Sequence, residues 1–233
     1  MKTIPHTFAA LSFLFLAPAA HAEWSTTITG VSDYTFNGVS QTLNDPALQG
    51  SIDYAADNGF YVGTWASNVD FGDDTNLEWD AYIGHYVELT DSLSIDYGLA
   101  YYSYHGASYS SEGNYFEAYA NFAYQSELGT SELNFWYAWD YFGTDAGHVI
   151  SMLAHSVEVS PGHTLRASID TSNSLDGDKF AWQDNGKSYL HYRLAYQTSF
   201  AGFDFELAAE DTDIDSEYAD ERLVLAISRT FSL

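Results

Sequence analysis

The chain of 233 residues contains no cysteine. That excludes a disulfide framework and every reaction that needs a thiolate. Proline is scarce, at four residues, which leaves long stretches free to pair as strands. Basic residues are scarcer still in proportion. Seven lysines and arginines stand against 33 acidic residues, for a formal net charge of −26. A field of that sign excludes nucleic acid as a partner. Beyond the N-terminus no run of about 18 apolar residues occurs, so no helix could cross a bilayer. Any membrane crossing would have to be made by strands closed into a barrel. No Gly-x-Ser-x-Gly segment, His-x-x-x-His pair, phosphate loop or dinucleotide fingerprint is present.

The first residues do follow a pattern. Met1-Lys2 precedes an apolar run around Phe8 to Pro18, then Ala20-His21-Ala22. A basic start, a run too short to span a bilayer and an Ala-x-Ala end mark a secretory signal. The expected organisation is a signal peptide over 1–22 and one domain over 23–233.

Tyrosine, phenylalanine and tryptophan number 19, 15 and 6, and they fall in alternating segments that favour strands. In the last segment Leu223, Leu225, Ile227, Phe231 and Leu233 share one parity, and Val224, Ala226, Ser228, Thr230 and Ser232 the other. Period-2 alternation is the signature of a strand with one apolar face. Twelve such segments can be marked. They are Trp24 to Gly38, Ala47 to Ala56, Phe60 to Val69, Leu77 to Leu89, Leu93 to Tyr104 and Tyr115 to Tyr124. The others are Leu133 to Phe142, Val149 to Val159, Thr164 to Thr171, Tyr189 to Thr198, Phe203 to Glu210 and the terminal strand. Most have the roughly 9–11 residues that a tilted strand needs to cross a bilayer.

The connections alternate between short and long. Asp57-Asn58-Gly59, Thr90-Asp91-Ser92 and Ser160-Pro161-Gly162-His163 are tight turns. Val39 to Pro46, His105 to Asn114, Ser172 to Ser188 and Asp211 to Asp220 are longer and more polar. The expected fold is therefore all-β: a closed antiparallel transmembrane β-barrel of twelve strands, with short periplasmic turns and longer extracellular loops. Trp24, Phe60, Trp79, Tyr97, Phe135, Trp139 and Phe203 lie near strand ends, where interfacial girdles sit. A soluble exported β-sandwich is the fold-level alternative, since it also presents one apolar face. On the barrel reading Arg229 shares the lipid-facing parity, so it needs an interfacial position from which to snorkel.

Three stretches carry a family resemblance. They are Val31-Ser-Asp-Tyr-Thr-Phe-Asn-Gly-Val-Ser-Gln41, Asp45-Pro-Ala-Leu-Gln-Gly50 and Gly59-Phe-Tyr-Val-Gly-Thr-Trp-Ala-Ser-Asn-Val-Asp-Phe71. They resemble the opening of the proteobacterial Gcw_chp family, also called TorF-type porins. Leu77-Glu-Trp-Asp80, Asn114-Tyr-Phe-Glu117 and the terminal run are similar to later family segments. The resemblance implies an outer-membrane barrel and a channel. Two departures stand out: the chain continues past Phe231 to Leu233, and Thr35 and Asn37 replace basic residues usual around the Phe of the first motif. If those bases line the family's pore, ion preference here shifts toward cations.

The candidate pore-lining residues are Asp33, Asp53, Glu78, Asp80, Asp96, Glu117, Asp140, Asp170 and Glu206, with Arg166, Arg193 and His191 against them. An acidic wall of this kind concentrates cations and repels anions. The same charges could instead pair with one another and stiffen the barrel. Tyr61, Tyr82, Tyr86, Tyr102 and Tyr119 are expected to face inward beside them. Asp211-Thr-Asp-Ile-Asp215-Ser-Glu217 begins like a calcium loop, but Ser216 stands at the glycine position and Arg222 at the final carboxylate. No metal, cofactor or catalytic residue is assigned.

The expected function is an outer-membrane channel passing small hydrophilic solutes or ions, with cations preferred. The expected partners are outer-membrane lipid, lipopolysaccharide, the permeating solute and the barrel-assembly machinery during insertion. Two alternatives stay open: a structural or adhesive barrel without an open pore, and a barrel lipid hydrolase whose Ser and His meet across strands.

Overall fold

The computed structural model describes residues 23–182 and 186–233; the expected signal segment, 1–22, lies outside them. Among the described residues the strands are β1 (Glu23–Val31), β2 (Thr35–Phe36), β3 (Val39–Ser40), β4 (Ala47–Ala55), β5 (Phe60–Asn68), β6 (Leu77–Glu88) and β7 (Leu93–His105). They continue with β8 (Tyr115–Ser126), β9 (Gly129–Ala138), β10 (His148–Ser160), β11 (His163–Ser174), β12 (Ser188–Phe200), β13 (Phe203–Thr212) and β14 (Arg222–Ser232). Twelve of them pair antiparallel with their neighbours, and β1 pairs with both β4 and β14, which closes the barrel. Closure leaves no unpaired edge, as a strand assembly in lipid requires.

Alternation sets which side chain goes where. Along β9, Leu133, Phe135 and Tyr137 point outward and stay exposed, while Glu132, Asn134 and Trp136 point inward and are buried. The outer face is an apolar band that includes Ile28, Ile83, Leu153, Leu194 and Leu225. Leaving such groups in water would cost roughly 1.5–3 kcal/mol each relative to full burial, so the band calls for lipid around it. In β14 the outward parity is the one expected, Leu223, Leu225 and Ile227. Arg229 shares that parity and sits near the short-turn end. Its guanidinium carbon lies 5.0 Å from the ring centroids of both Phe203 and Phe231.

At the short-turn end the connections are tight. Gly59 has φ +86, and a Cβ there would strike the carbonyl of Tyr86 on the neighbouring strand. His85 and His155 each clasp one of these turns from the next strand. His85 meets the Asn58 carbonyl at 3.0 Å, and His155 meets the Leu128 carbonyl at 3.1 Å.

The other end differs from expectation in its first loop. The first strand was expected to run from Trp24 to Gly38, but β1 stops at Val31. The chain then turns into the barrel as the β2–β3 hairpin, pairing Thr35 with Ser40 and Phe36 with Val39. The cause is local. Asn37 and Gly38 have φ +48 and +81, the left-handed pair of a two-residue hairpin turn, which a continuous strand cannot contain. Two further loops fold over the same mouth. Tyr141, Phe142, Phe180 and Trp182 form an aromatic layer there, with Tyr141 stacked on His148 at 3.9 Å.

Candidate functional site

The inner wall divides into two unlike halves. No lysine or arginine occurs between Lys2 and Arg166. Strands β4 to β8 therefore carry no lysine or arginine, yet Asp53, Glu78, Asp80, Asp96 and Glu117 all lie on them, inward and buried. Phenols hold four of these carboxylates. The Tyr82 hydroxyl donates to Asp53, which also accepts from Ser51 Oγ at 2.7 Å. Tyr34 and Tyr104 donate to Glu78 at 3.0 and 3.3 Å. Tyr61 donates to Asp96 at 2.7 Å and Tyr102 to Glu117 at 3.0 Å. Asp80 Oδ1 is buried with no hydrogen-bond partner among the described residues. A hydroxyl donates to a carboxylate without supplying an opposite charge.

Register builds the wall. Tyr61, Gly84, Gly98 and Tyr119 are successive cross-strand partners on β5, β6, β7 and β8. A Cβ on Gly84 would strike the hydroxyls of Tyr61 and Tyr119, and one on Gly98 would strike Tyr119. The two glycines thus make a shallow bay in which the hydroxyls of Tyr61 and Tyr119 meet at 2.5 Å.

The facing wall, β9 to β14, pairs its charges. Arg166 binds Glu132 at 2.7 Å, and Arg193 binds Glu206 at 2.5 Å and Glu210 at 3.1 Å. His191 Nδ1 lies 2.7 Å from Asp170, and Arg222 holds Asp33 at 2.6 Å. Buried ions demand partners of this kind, and here each arginine but the interfacial Arg229 has one.

Between the walls lies the β2–β3 hairpin. Phe36 packs against the cluster of Tyr61, Tyr119, Trp136 and Ile150 and also against the one containing Tyr102 and Tyr115. Its tip rests on the paired wall, with Asn37 Nδ2 donating to Asp170 Oδ1 at 2.9 Å and the Tyr189 hydroxyl donating to the Asn37 carbonyl at 3.0 Å. What remains beside the tip is a cavity of about 50 Å³ bordered by Phe36, Trp136, Met152, Arg166, Arg193 and Glu210.

Of the residues singled out from sequence, Asp53, Glu78, Asp80, Asp96, Glu117, Arg166, Asp170, His191, Arg193 and Glu206 are inward on barrel strands. Asp33 is buried too, but at the base of the hairpin rather than on a strand. Asp140 is placed differently. It lies past the end of β9 and accepts from the Asp145 N–H at 2.6 Å, so it shapes a mouth loop. Glu132, Glu210 and Arg222 were not singled out. The first two share inward parity with Asn134 and Glu206, and Arg222 with Val224, so parity would have found them.

Among the described residues three Ser–His pairs form across or along strands: Ser172 with His148, Ser131 with His155 and Ser103 with His105. None has the carboxylate that would orient the imidazole of a hydrolase. His155 gives its second nitrogen to a backbone carbonyl, His148 Nδ1 is unpartnered, and Ser103 already donates to the Trp79 carbonyl. Among the described residues no three of His, Asp and Glu gather as metal ligands. The acidic stretch Asp211 to Glu217 instead leaves β13 for a mouth loop, where Asp213 accepts from the Leu190 N–H at 2.7 Å.

Residues 16–173 match the family described as "Bacterial protein of unknown function (Gcw_chp)". No curated protein matches the chain in sequence. Among solved structures, the fold is similar to a KdgM porin, with a TM-score of 0.60 at 9% identity, covering 89% of this chain and 99% of that one. It is also similar to a NanC porin, with a TM-score of 0.61 at 10% identity, covering 88% and 98%. A third likeness is to the KdgM porin in complex with disordered oligogalacturonate, with a TM-score of 0.61 at 9% identity, covering 89% and 99%.

Proposed function

The chain belongs to the Gcw_chp family, and from that footing we propose that it forms a channel through the bacterial outer membrane that prefers small cations. The short turns then face the periplasm and the long loops the exterior. Residues 1–22 serve as the export signal and are absent from the mature protein. Support for a membrane site comes from the closed barrel, the exposed apolar band and the aromatic residues Trp24, Phe60 and Trp139 near its rims.

The observation that carries the cation preference is the wall of β4 to β8. Four of its five buried carboxylates have phenol partners, and the wall carries no lysine or arginine. A fixed negative potential in a narrow, low-dielectric passage raises the local concentration of cations and repels anions. One structural neighbour is complexed with oligogalacturonate, a chain of sugar acids. A polyanion of that kind would meet the wrong sign here, so the cargo differs from that neighbour's.

The hairpin and the aromatic layer fill much of the passage, which favours a second reading: a closed barrel that anchors or stabilises the envelope. Single-channel recording in planar bilayers separates the two. Discrete conductance steps from folded, heat-modifiable barrel are the expected result. Their absence from every preparation would leave the closed barrel standing.

A further inference from the structure

We propose that the β2–β3 hairpin is the movable constriction of this channel, with Phe36 as the residue that fills its bore. The inference rests on the channel reading above and extends it to the element that governs passage.

Anchorage is uneven along the hairpin. At its base, the Asp33 carboxylate accepts from Ser40 Oγ at 2.6 Å, Thr42 Oγ1 at 3.1 Å and Arg222 Nη1 at 2.6 Å. Arg222 also donates to Asn44 Oδ1 at 2.8 Å, and the Ser40 N–H donates to the Tyr218 carbonyl at 2.8 Å. These contacts tie the base to β14 and to the loop before it, on one side of the mouth. The tip is held otherwise. Among the described residues no backbone-to-backbone hydrogen bond joins residues 35–39 to a barrel strand. Side chains catch it on β11 to β13: Asn37 donates to Asp170, Tyr189 donates to the Asn37 carbonyl, and Thr35 hydrogen-bonds Glu210.

The tip is also where the passage is blocked. Phe36 packs on Tyr61, Tyr119, Trp136 and Ile150, one cluster from β5 to β10, while its neighbours Asn37 and Gly38 lie against β11 to β13. It is the large apolar side chain at the tip, next to Asn37 and Gly38. An element tied through its backbone at the base and through side chains alone at the tip can pivot about its base. Swinging toward β14 would withdraw Phe36 and leave the carboxylate wall facing the opening. The barrel itself need not deform, because none of its ladders includes the hairpin.

A reversible lock tests this. A Cβ built on Gly38 lies 2.5 Å from Thr212 Cγ2, within reach of a disulfide once both positions are cysteine. The native chain has no other cysteine to compete. Full-length Gly38→Cys/Thr212→Cys barrel is inserted in planar bilayers and recorded oxidised, then reduced. Loss of conductance on oxidation and its return on reduction are expected, with the wild type indifferent to both treatments. Gly38 has positive φ, where cysteine is strained, so Phe36→Ala supplies a second reading that needs no cross-link. Its unitary conductance should rise about twofold or more as the bore widens. Equal conductance in the locked and reduced barrels, or a Phe36→Ala conductance equal to the wild type, overturns the constriction while leaving the channel reading intact. Silence from the wild type, the reduced pair and Phe36→Ala together overturns the channel reading itself.

Discussion

The phenol oxygens of Tyr61 and Tyr119 meet at 2.5 Å over the bare backbone of Gly84 and Gly98. Four strands contribute to that contact, and each does so through register, since the four residues are successive cross-strand partners. The pair also positions a carboxyl group, because Tyr61 donates to Asp96. Gly98→Ala should displace the Tyr119 ring and press on the Ile83 carbonyl. The expected cost is about 1–3 kcal/mol, the range for overpacking a filled interior. Urea unfolding of the refolded barrel in detergent or thin bilayers measures it, and an unchanged midpoint would show that the bay is not tightly filled.

The Arg166–Glu132 pair predicts a non-additive pattern. Both groups are buried, and removing one strands the other. Arg166→Met alone should cost about 3–5 kcal/mol, whereas Arg166→Met with Glu132→Leu should recover most of the loss. A double-mutant cycle on unfolding midpoints reads the coupling directly.

Arg222 is the clasp at the hairpin base, through Asp33 and Asn44. Arg222→Gln should loosen the hairpin more than the barrel. Hydrogen exchange at residues 35–41 is expected to quicken by about tenfold, corresponding to one charge-assisted hydrogen bond, while exchange on β9 to β11 stays unchanged. Uniform acceleration around the barrel would mean that Arg222 supports the wall instead.

Arg229 lies over Phe203 and Phe231 at the short-turn rim. Arg229→Ala should cost about 0.5–1 kcal/mol and Arg229→Lys less, as expected for a half-exposed cation on aromatic faces. A loss several times larger would place this side chain deeper in the bilayer than the rim.

Strand parity and loop lengths were legible in the sequence because both are local. The alternation of Leu223, Leu225 and Ile227 against Val224 and Ala226 names the lipid face without any neighbour. The inward course of Asp53, Glu78, Asp96 and Glu117 follows from the same period. The hairpin is hidden when Trp24 to Gly38 is read as a single strand. Asn37-Gly38, the dipeptide most typical of a two-residue turn, was the signal that marked it. The bay over Gly84 and Gly98 could not be read, since it exists only once four strands are in register. Nor could the division into a phenol-held wall and an ion-paired wall, because partners such as Tyr34 and Glu78 lie far apart along the chain.

Ion selectivity tests the central claim most directly. The zero-current potential across a bilayer holding the purified barrel is measured in a potassium chloride gradient. Its sign should report cation preference. Asp53→Asn/Asp96→Asn/Glu117→Gln, which keeps the acceptors of Tyr82, Tyr61 and Tyr102 while removing three charges, should move it toward zero. A potential of anion-selective sign, or one that the triple variant leaves unmoved, would contradict an account in which this wall sets what passes.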